Sequence, residues 1–227
     1  MLTDRSLLTL LQWVSPALPI GGFNYSEGLE TLVAQQQLTT ASALKDWLTF
    51  ELKAGSAQLE AAVMVRAYRA FMATDIERLR YWNAWLSAAR ETEELRAQNW
   101  QMGTALMELV QTLEGDRLPA ELPTAHPYPW NTSIAFSIAA AMAAIPLETA
   151  VLGYLHSWLS TLIGAGVKLI PLGQTAGQVL LRQLQCELGA AVQQSVQCTD
   201  DDLGSCTLGL ALASMQHETQ YCRLFRS

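Results

Sequence analysis

Apolar residues recur at helical spacing along nearly the whole chain. Leu7, Leu8, Leu10, Leu11 and Val14 form a first periodic stripe behind Thr3, a residue suited to capping. Pro16 should end that helix near Ser15, because proline drives its predecessor out of the α region. The stretch Ser15 to Phe23 then holds two prolines and two glycines and reads as an ordered turn, with Asn24 or Ser26 available to cap the next helix. Leu44, Trp47, Leu48 and Leu52 mark another face, continued by Leu59, Ala62 and Val63. Thr74-Asp75-Ile76-Glu77 has capping-box form ahead of Leu79, Trp82, Trp85 and Leu86. Arg90 to Glu114 predicts a further helix ending at Gly115. After a Pro-rich loop near 118–129, Asn131 to Ile145 and Leu147 to Gly164 read as two apolar helices divided at Pro146. Pro171-Leu172-Gly173 interrupts before a helix over Gln174 to Gln194, and an acidic turn at 198–204 precedes a last helix running from about Thr207 to the end of the chain.

No segment alternates with period two, and no repeat of 30 to 45 residues emerges, which excludes a solenoid. The expectation is an all-α fold: one helical bundle over residues 1–227, of roughly eight to ten helices and without a sheet. Thr149 to Val167 carries no Asp, Glu, Lys or Arg and is nominally long enough to span a bilayer. Its His156, Ser157, Ser160, Thr161 and three glycines, with no basic cluster at its start, favour a buried core helix instead.

Half of the 227 residues are hydrophobic and 15% are charged, which excludes a disordered chain. A net charge of −7 argues against a nucleic-acid binder. So little polar material implies that some apolar surface meets protein partners. Cys186, Cys198, Cys206 and Cys222 form no CxxC, and His126, His156 and His217 are not at zinc-finger spacing. No signal peptide is read at the start, so the expected setting is the cytoplasm, with reduced thiols, no metal, no cofactor and no membrane.

Enzyme templates fail. HExxH and GxSxG are absent, and Gly164-Ala165-Gly166-Val167-Lys168 lacks the GxxxxGK[ST] order and a preceding strand. Glu93 and Glu94 near Arg90 and Arg96 read as ordinary ion pairs at helical spacing. His126 reads as a loop residue and His156 as a core histidine. Three segments stand out: the loop with Phe23, Tyr25 and Glu30; the stretch with Lys168, Gln174 and Gln178; and the closing residues 217–227. Lys168 is the single charged side chain between Glu148 and Arg182, so it must snorkel, pair with an acid or reach a partner. Tyr221, Arg223, Phe225 and Arg226 have the composition of a binding hot spot, with a tail folded onto its own domain as the alternative.

At these residues the sequence resembles the UreF family of urease accessory proteins. Ser15-Pro16-Ala17-Leu18-Pro19-Ile20-Gly21-Gly22-Phe23 with Tyr25-Ser26 and Gly28-Leu29-Glu30 is similar to its opening signature, and Arg90-Glu91-Thr92-Glu93-Glu94-Leu95-Arg96 to its central helix motif. Lys168-Leu169-Ile170-Pro171-Leu172-Gly173-Gln174 and the closing His217-Glu218-Thr219-Gln220-Tyr221 with Arg223-Leu224-Phe225-Arg226-Ser227 complete the pattern, with Cys222 where serine is usual. The resemblance implies a dimeric all-α protein without catalysis of its own. It further implies binding to the accessory protein UreD (also called UreH) and the GTPase UreG on apo-urease, coupling GTP hydrolysis to nickel insertion. Its partner-binding residues are then expected at Phe23, Tyr25, Glu30, Lys168, Gln174, Gln178, Tyr221, Arg223, Phe225 and Arg226. Two other roles compete with scaffolding: a GTPase activator donating Lys168, Arg223 or Arg226 to the transferring phosphate, and a nickel-binding chaperone, which the scarce histidines disfavour.

Overall fold

Thr3 starts the first helix as the spacing predicts: its Oγ1 accepts from the Ser6 N–H at 3.1 Å, and α1 spans Asp4–Trp13. The computed structural model describes residues 2–119, 122 and 128–227. Most of the Pro-rich loop, including Pro123, His126 and Pro127, lies outside the described residues.

A short 3-10 turn, Gly22–Asn24, leads to α2 (Leu29–Ala34), then α3 (Ala41–Ala54), α4 (Ser56–Met72), α5 (Ile76–Ala89) and α6 (Glu93–Glu114). A second 3-10 turn, Gly115–Arg117, precedes α7 (Thr132–Met142) and α8 (Leu147–Leu169). The series ends with α9 (Gln174–Gln183), α10 (Gln185–Gln197) and α11 (Leu208–His217). Among the described residues every regular element is helical, so the fold is all-α. Two readings divide: the periodic face from Leu44 to Val63 breaks at Gly55, and the helix expected over 174–194 breaks at Leu184.

Several boundaries differ from the sequence expectation for local reasons. Neither Asn24 nor Ser26 is the cap of α2; that position is Gly28, whose φ of +77° only glycine adopts without strain. Thr74 sits at φ +58°, with the Asp75 N–H reaching back to the Ala70 carbonyl, so Asp75 and not Thr74 caps α5 and accepts from the Arg78 N–H. Arg90 is extended and Thr92 caps α6, accepting from the Leu95 N–H at 3.2 Å, so Arg90 and Glu91 stand outside that helix. The last helix stops at His217, and residues 218–227 turn back in non-helical form.

The core is organised by α4 and α7. All eleven residues of α7 are buried, and α4 packs against α3, α5, α7, α8 and α10. A helix apolar on every side belongs inside such a bundle. α8 is long and apolar enough to cross a membrane by length and composition, but 56% of its most apolar window is buried against these neighbours. α6 crosses the 130–131 backbone at Gly103, where a Cβ would overlap the Trp130 carbonyl oxygen.

Candidate functional site

The closing segment is held by groups of the Pro/Gly loop, α2 and α6. The buried Glu30 accepts the Leu224 N–H on Oε1 at 2.7 Å and the Phe225 N–H on Oε2 at 2.9 Å. Ser26 donates its N–H (2.8 Å) and its hydroxyl (2.6 Å) to the Ser227 carbonyl, and the Arg226 N–H donates to the Asn24 carbonyl at 2.8 Å. The Ser227 hydroxyl donates to Gln98 Oε1 on α6. His217 is fully buried between two acids: Nδ1 lies 2.9 Å from Glu94 Oε1 and Nε2 lies 3.3 Å from Glu30 Oε2. Charged acceptors for backbone N–H groups are strong anchors, so these last residues have a fixed course over α2 and α6.

That course places the expected partner-binding residues unequally. Tyr25 is buried and donates its hydroxyl to Gln101 Oε1 at 2.7 Å, Glu30 is the anchor just described, and Phe225 packs inward. Tyr221 is fully exposed, Phe23 is 64% exposed, and the Arg226 side chain points outward. Arg223 is partly exposed, with Nη1 3.6 Å from Glu94 Oε1. The Lys168 ammonium lies 5.4 Å from the Phe225 ring centroid and forms no ion pair among the described residues, so it solves its isolation by a cation–π contact at the surface. The structure thus brings Phe23, Tyr25, Glu30, Lys168, Phe225 and Arg226 into one neighbourhood. Gln174 and Gln178 are exposed on α9, and no hydrogen bond joins them to it.

Behind this neighbourhood lies a cluster the sequence did not announce. Glu60, buried on α4, accepts from the Arg90 guanidinium, from Asn99 Nδ2 at 2.6 Å and from the Tyr154 hydroxyl. The expected local pairs of Arg90 with Glu93 and Glu94 do not form: Arg90 pairs with Glu60, its Nε lies 3.8 Å from Glu91 Oε2, and Glu94 turns to His217. Burial pulls the Arg90 guanidinium down, but the carboxylates of Glu60, Glu91 and Glu27 outweigh it and hold the group above its ordinary value. Burial, then Glu60, pushes Tyr154 well above the usual phenol range. The one available sign was an acid at Glu60 beside the apolar run 61–65 of α4. Glu27, at φ +50°, accepts from Gln98 Nε2 at 2.9 Å and from Trp158 Nε1 at 3.0 Å, and burial followed by Glu60 raises its carboxyl.

Glu27 and Glu60 line a cavity of about 200 Å³ between the Pro/Gly loop, α6, α7 and α8, with Phe23 and Lys168 also in its wall. No group of three His, Cys, Asp or Glu side chains among the described residues is arranged to hold a metal.

Comparison with known proteins places the chain. The UreF family model matches residues 38–185. A urease accessory protein UreF of Thermosynechococcus vestitus is 73% identical over 227 residues, covering all of both chains. The chain belongs to the UreF family. A UreF of Nostoc sp. is 56% identical over all of this chain and 98% of its own, and one of Alkalilimnicola ehrlichii is 41% identical over 96% and 94%. Family membership makes the protein a urease accessory protein, an accessory factor and not a catalyst. The family model's span includes Lys168, Gln174 and Gln178, whereas the Tyr25 loop and the closing segment fall outside it and are matched through the full-length relatives.

Proposed function

We propose that this chain, as a single helical unit and a homodimer in the cytoplasm, scaffolds a UreD–UreF–UreG complex on apo-urease and gates GTP-dependent nickel insertion. The observation that carries the reading is the anchored closing segment. Glu30, Ser26 and Asn24 fix its backbone, which leaves Tyr221, Arg223 and Arg226 exposed, with Lys168 against the Phe225 ring. A surface with fixed backbone and exposed aromatic and cationic side chains binds with little further loss of conformational freedom. These cations on a chain of net charge −7 select an acidic partner surface. Tyr25, Glu30 and Phe225 contribute by holding the presented side chains in place. Exposed apolar residues on α1 (Leu8) and α11 (Leu208, Leu212, Met215) supply the additional area that an assembly needs. Gating follows if this surface fits one conformation of the GTPase better than another, since only differential contact shifts an equilibrium.

The test is co-expression of the Lys168→Gln/Arg223→Gln/Arg226→Gln variant with UreD and UreG, followed by size exclusion. Loss of GTPase from the complex, with unchanged far-UV circular dichroism, is the expected result. Full retention of both partners ends the reading. Single-turnover GTP hydrolysis in the wild-type complex distinguishes gating from donated catalysis, because an arginine finger accelerates by about 10³- to 10⁵-fold.

A further inference from the structure

The cavity beneath the closing segment has a chemistry that partner scaffolding does not use. Its walls are largely apolar, with Leu18, Ile20, Met102 and Phe136 among them. Glu27 and Glu60 both line it; the Arg90 guanidinium is bound to Glu60, while Lys168, also in the wall, has its ammonium against the Phe225 ring and pairs with neither acid among the described residues. Glu27 has neutral donors only, Gln98 and Trp158. One carboxylate in the wall therefore lacks a counter-charge. An independent sign comes from Trp13: this residue is 4% exposed, lines the same cavity, and its indole N–H has no hydrogen-bond partner among the described residues. A buried N–H without an acceptor keeps its full desolvation penalty, so it marks a place where an acceptor is wanted.

We infer that this cavity is a binding site for a small organic cation: an ammonium for Glu27, an apolar body for the walls, and a hydroxyl or carbonyl acceptor for Trp13. The volume suits such a ligand, since an apolar cavity of about 150 Å³ already takes benzene. The left-handed backbone at Glu27 is consistent with a carboxylate held in position at some conformational cost. The cavity shares Phe23 and Lys168 with the presented surface, but its test reads small-ligand binding by the chain alone, so it stands or falls independently of the scaffold.

The full chain is titrated at neutral pH with phenylalaninol, which carries an ammonium, a hydroxyl and a phenyl ring. Parallel titrations use the neutral 3-phenyl-1-propanol and the anionic 3-phenylpropanoate, with calorimetry and the tryptophan indole N–H signals as readouts. Phenylalaninol is expected to saturate at one per chain, to shift the Trp13 and Trp158 indole signals, and to bind about tenfold or more tighter than the neutral alcohol, as a charge-assisted contact requires. The propanoate is expected not to bind. Glu27→Gln should erase the preference for the amine while leaving the alcohol unchanged, and Trp13→Phe should weaken both hydroxyl ligands. Equal binding of amine and alcohol, preference for the propanoate, or no saturation by phenylalaninol overturns the inference. These three outcomes come from the wild-type chain, so they decide even if a variant fails to fold.

Discussion

Two buried carboxylates on either side of the same loop do different work. Glu60 takes donors from α6, α8 and the residue that follows α5, so it joins elements distant in sequence into the bundle. Glu30 takes two backbone N–H groups and one imidazole from the last eleven residues, so it holds one segment against a bundle that exists without it. The charge is similar. What differs is whether the partners can reach water when the contact breaks. Arg90, Asn99 and Tyr154 are enclosed by helices, whereas of the partners of Glu30 only His217 and Phe225 are buried, and the stretch between them, with Leu224, is largely exposed. Loss of the first is therefore global and loss of the second local.

The sharpest way to break that contrast is Arg90→Met. It strands Glu60 beside Glu27 with neutral donors alone, and breaking a buried pair from one side costs about 3–5 kcal/mol. Urea denaturation should show that loss across the whole transition, and adding Glu60→Gln should recover part of it because the stranded charge is gone. A single variant as stable as the wild type would mean that the cluster is not architectural.

A third carboxylate separates burial from pairing. Glu51 is 2% exposed, accepts the Ser56 N–H at 2.8 Å and its hydroxyl at 3.1 Å, and has no cation beside it. Burial pushes its carboxyl from 4.5 up to about 7. The folded chain thus holds this proton more tightly than the unfolded chain does. The stability it contributes is full below about pH 4.5 and is lost as pH rises to about 7, on the order of 3 kcal/mol in all. Denaturation at pH 5 and pH 8 should show wild type losing about 2.5 kcal/mol more than Glu51→Gln, since part of the loss has already occurred at pH 5. Parallel pH profiles would mean that the Ser56 donors neutralise the burial effect.

The contrast also explains what was legible in the sequence. Leu44, Leu48 and Leu52 announced their helix because they repeat at its period, and Thr3 is a cap recognisable from one turn of sequence. The family resemblance rested on the same loop and closing residues that the fold brings together. Glu60, Arg90 and Tyr154 lie 30 and 94 residues apart from one another's partner, and no local pattern encodes such a contact. Arg90 misled because i,i+4 pairing with Glu94 assumes a helix that Thr92 starts two residues later. His217 and Glu30, separated by 187 positions, hid for the same reason. The Arg- and aromatic-rich closing segment read as surface, and the structure shows that its backbone and Phe225 are anchored while Tyr221 and Arg226 face outward.

Glu30→Ala gives the smallest effect on stability and the most specific one. The Leu224 and Phe225 N–H groups lose their acceptor, and one face of His217 loses its carboxylate. Were the segment unable to move, two stranded N–H groups would be costly. Because it can detach and find water, the cost is capped at the free energy of releasing it, about 1–3 kcal/mol. Amide exchange at Leu224 and Phe225 should quicken by about tenfold to a hundredfold. Amides of α4 and α7 should keep their protection, and the midpoint of global unfolding should move far less than for Arg90→Met. If exchange in α4 rises together with that in the closing segment, Glu30 belongs to the bundle and not to a clasp laid over it, and the distinction between the two carboxylates fails.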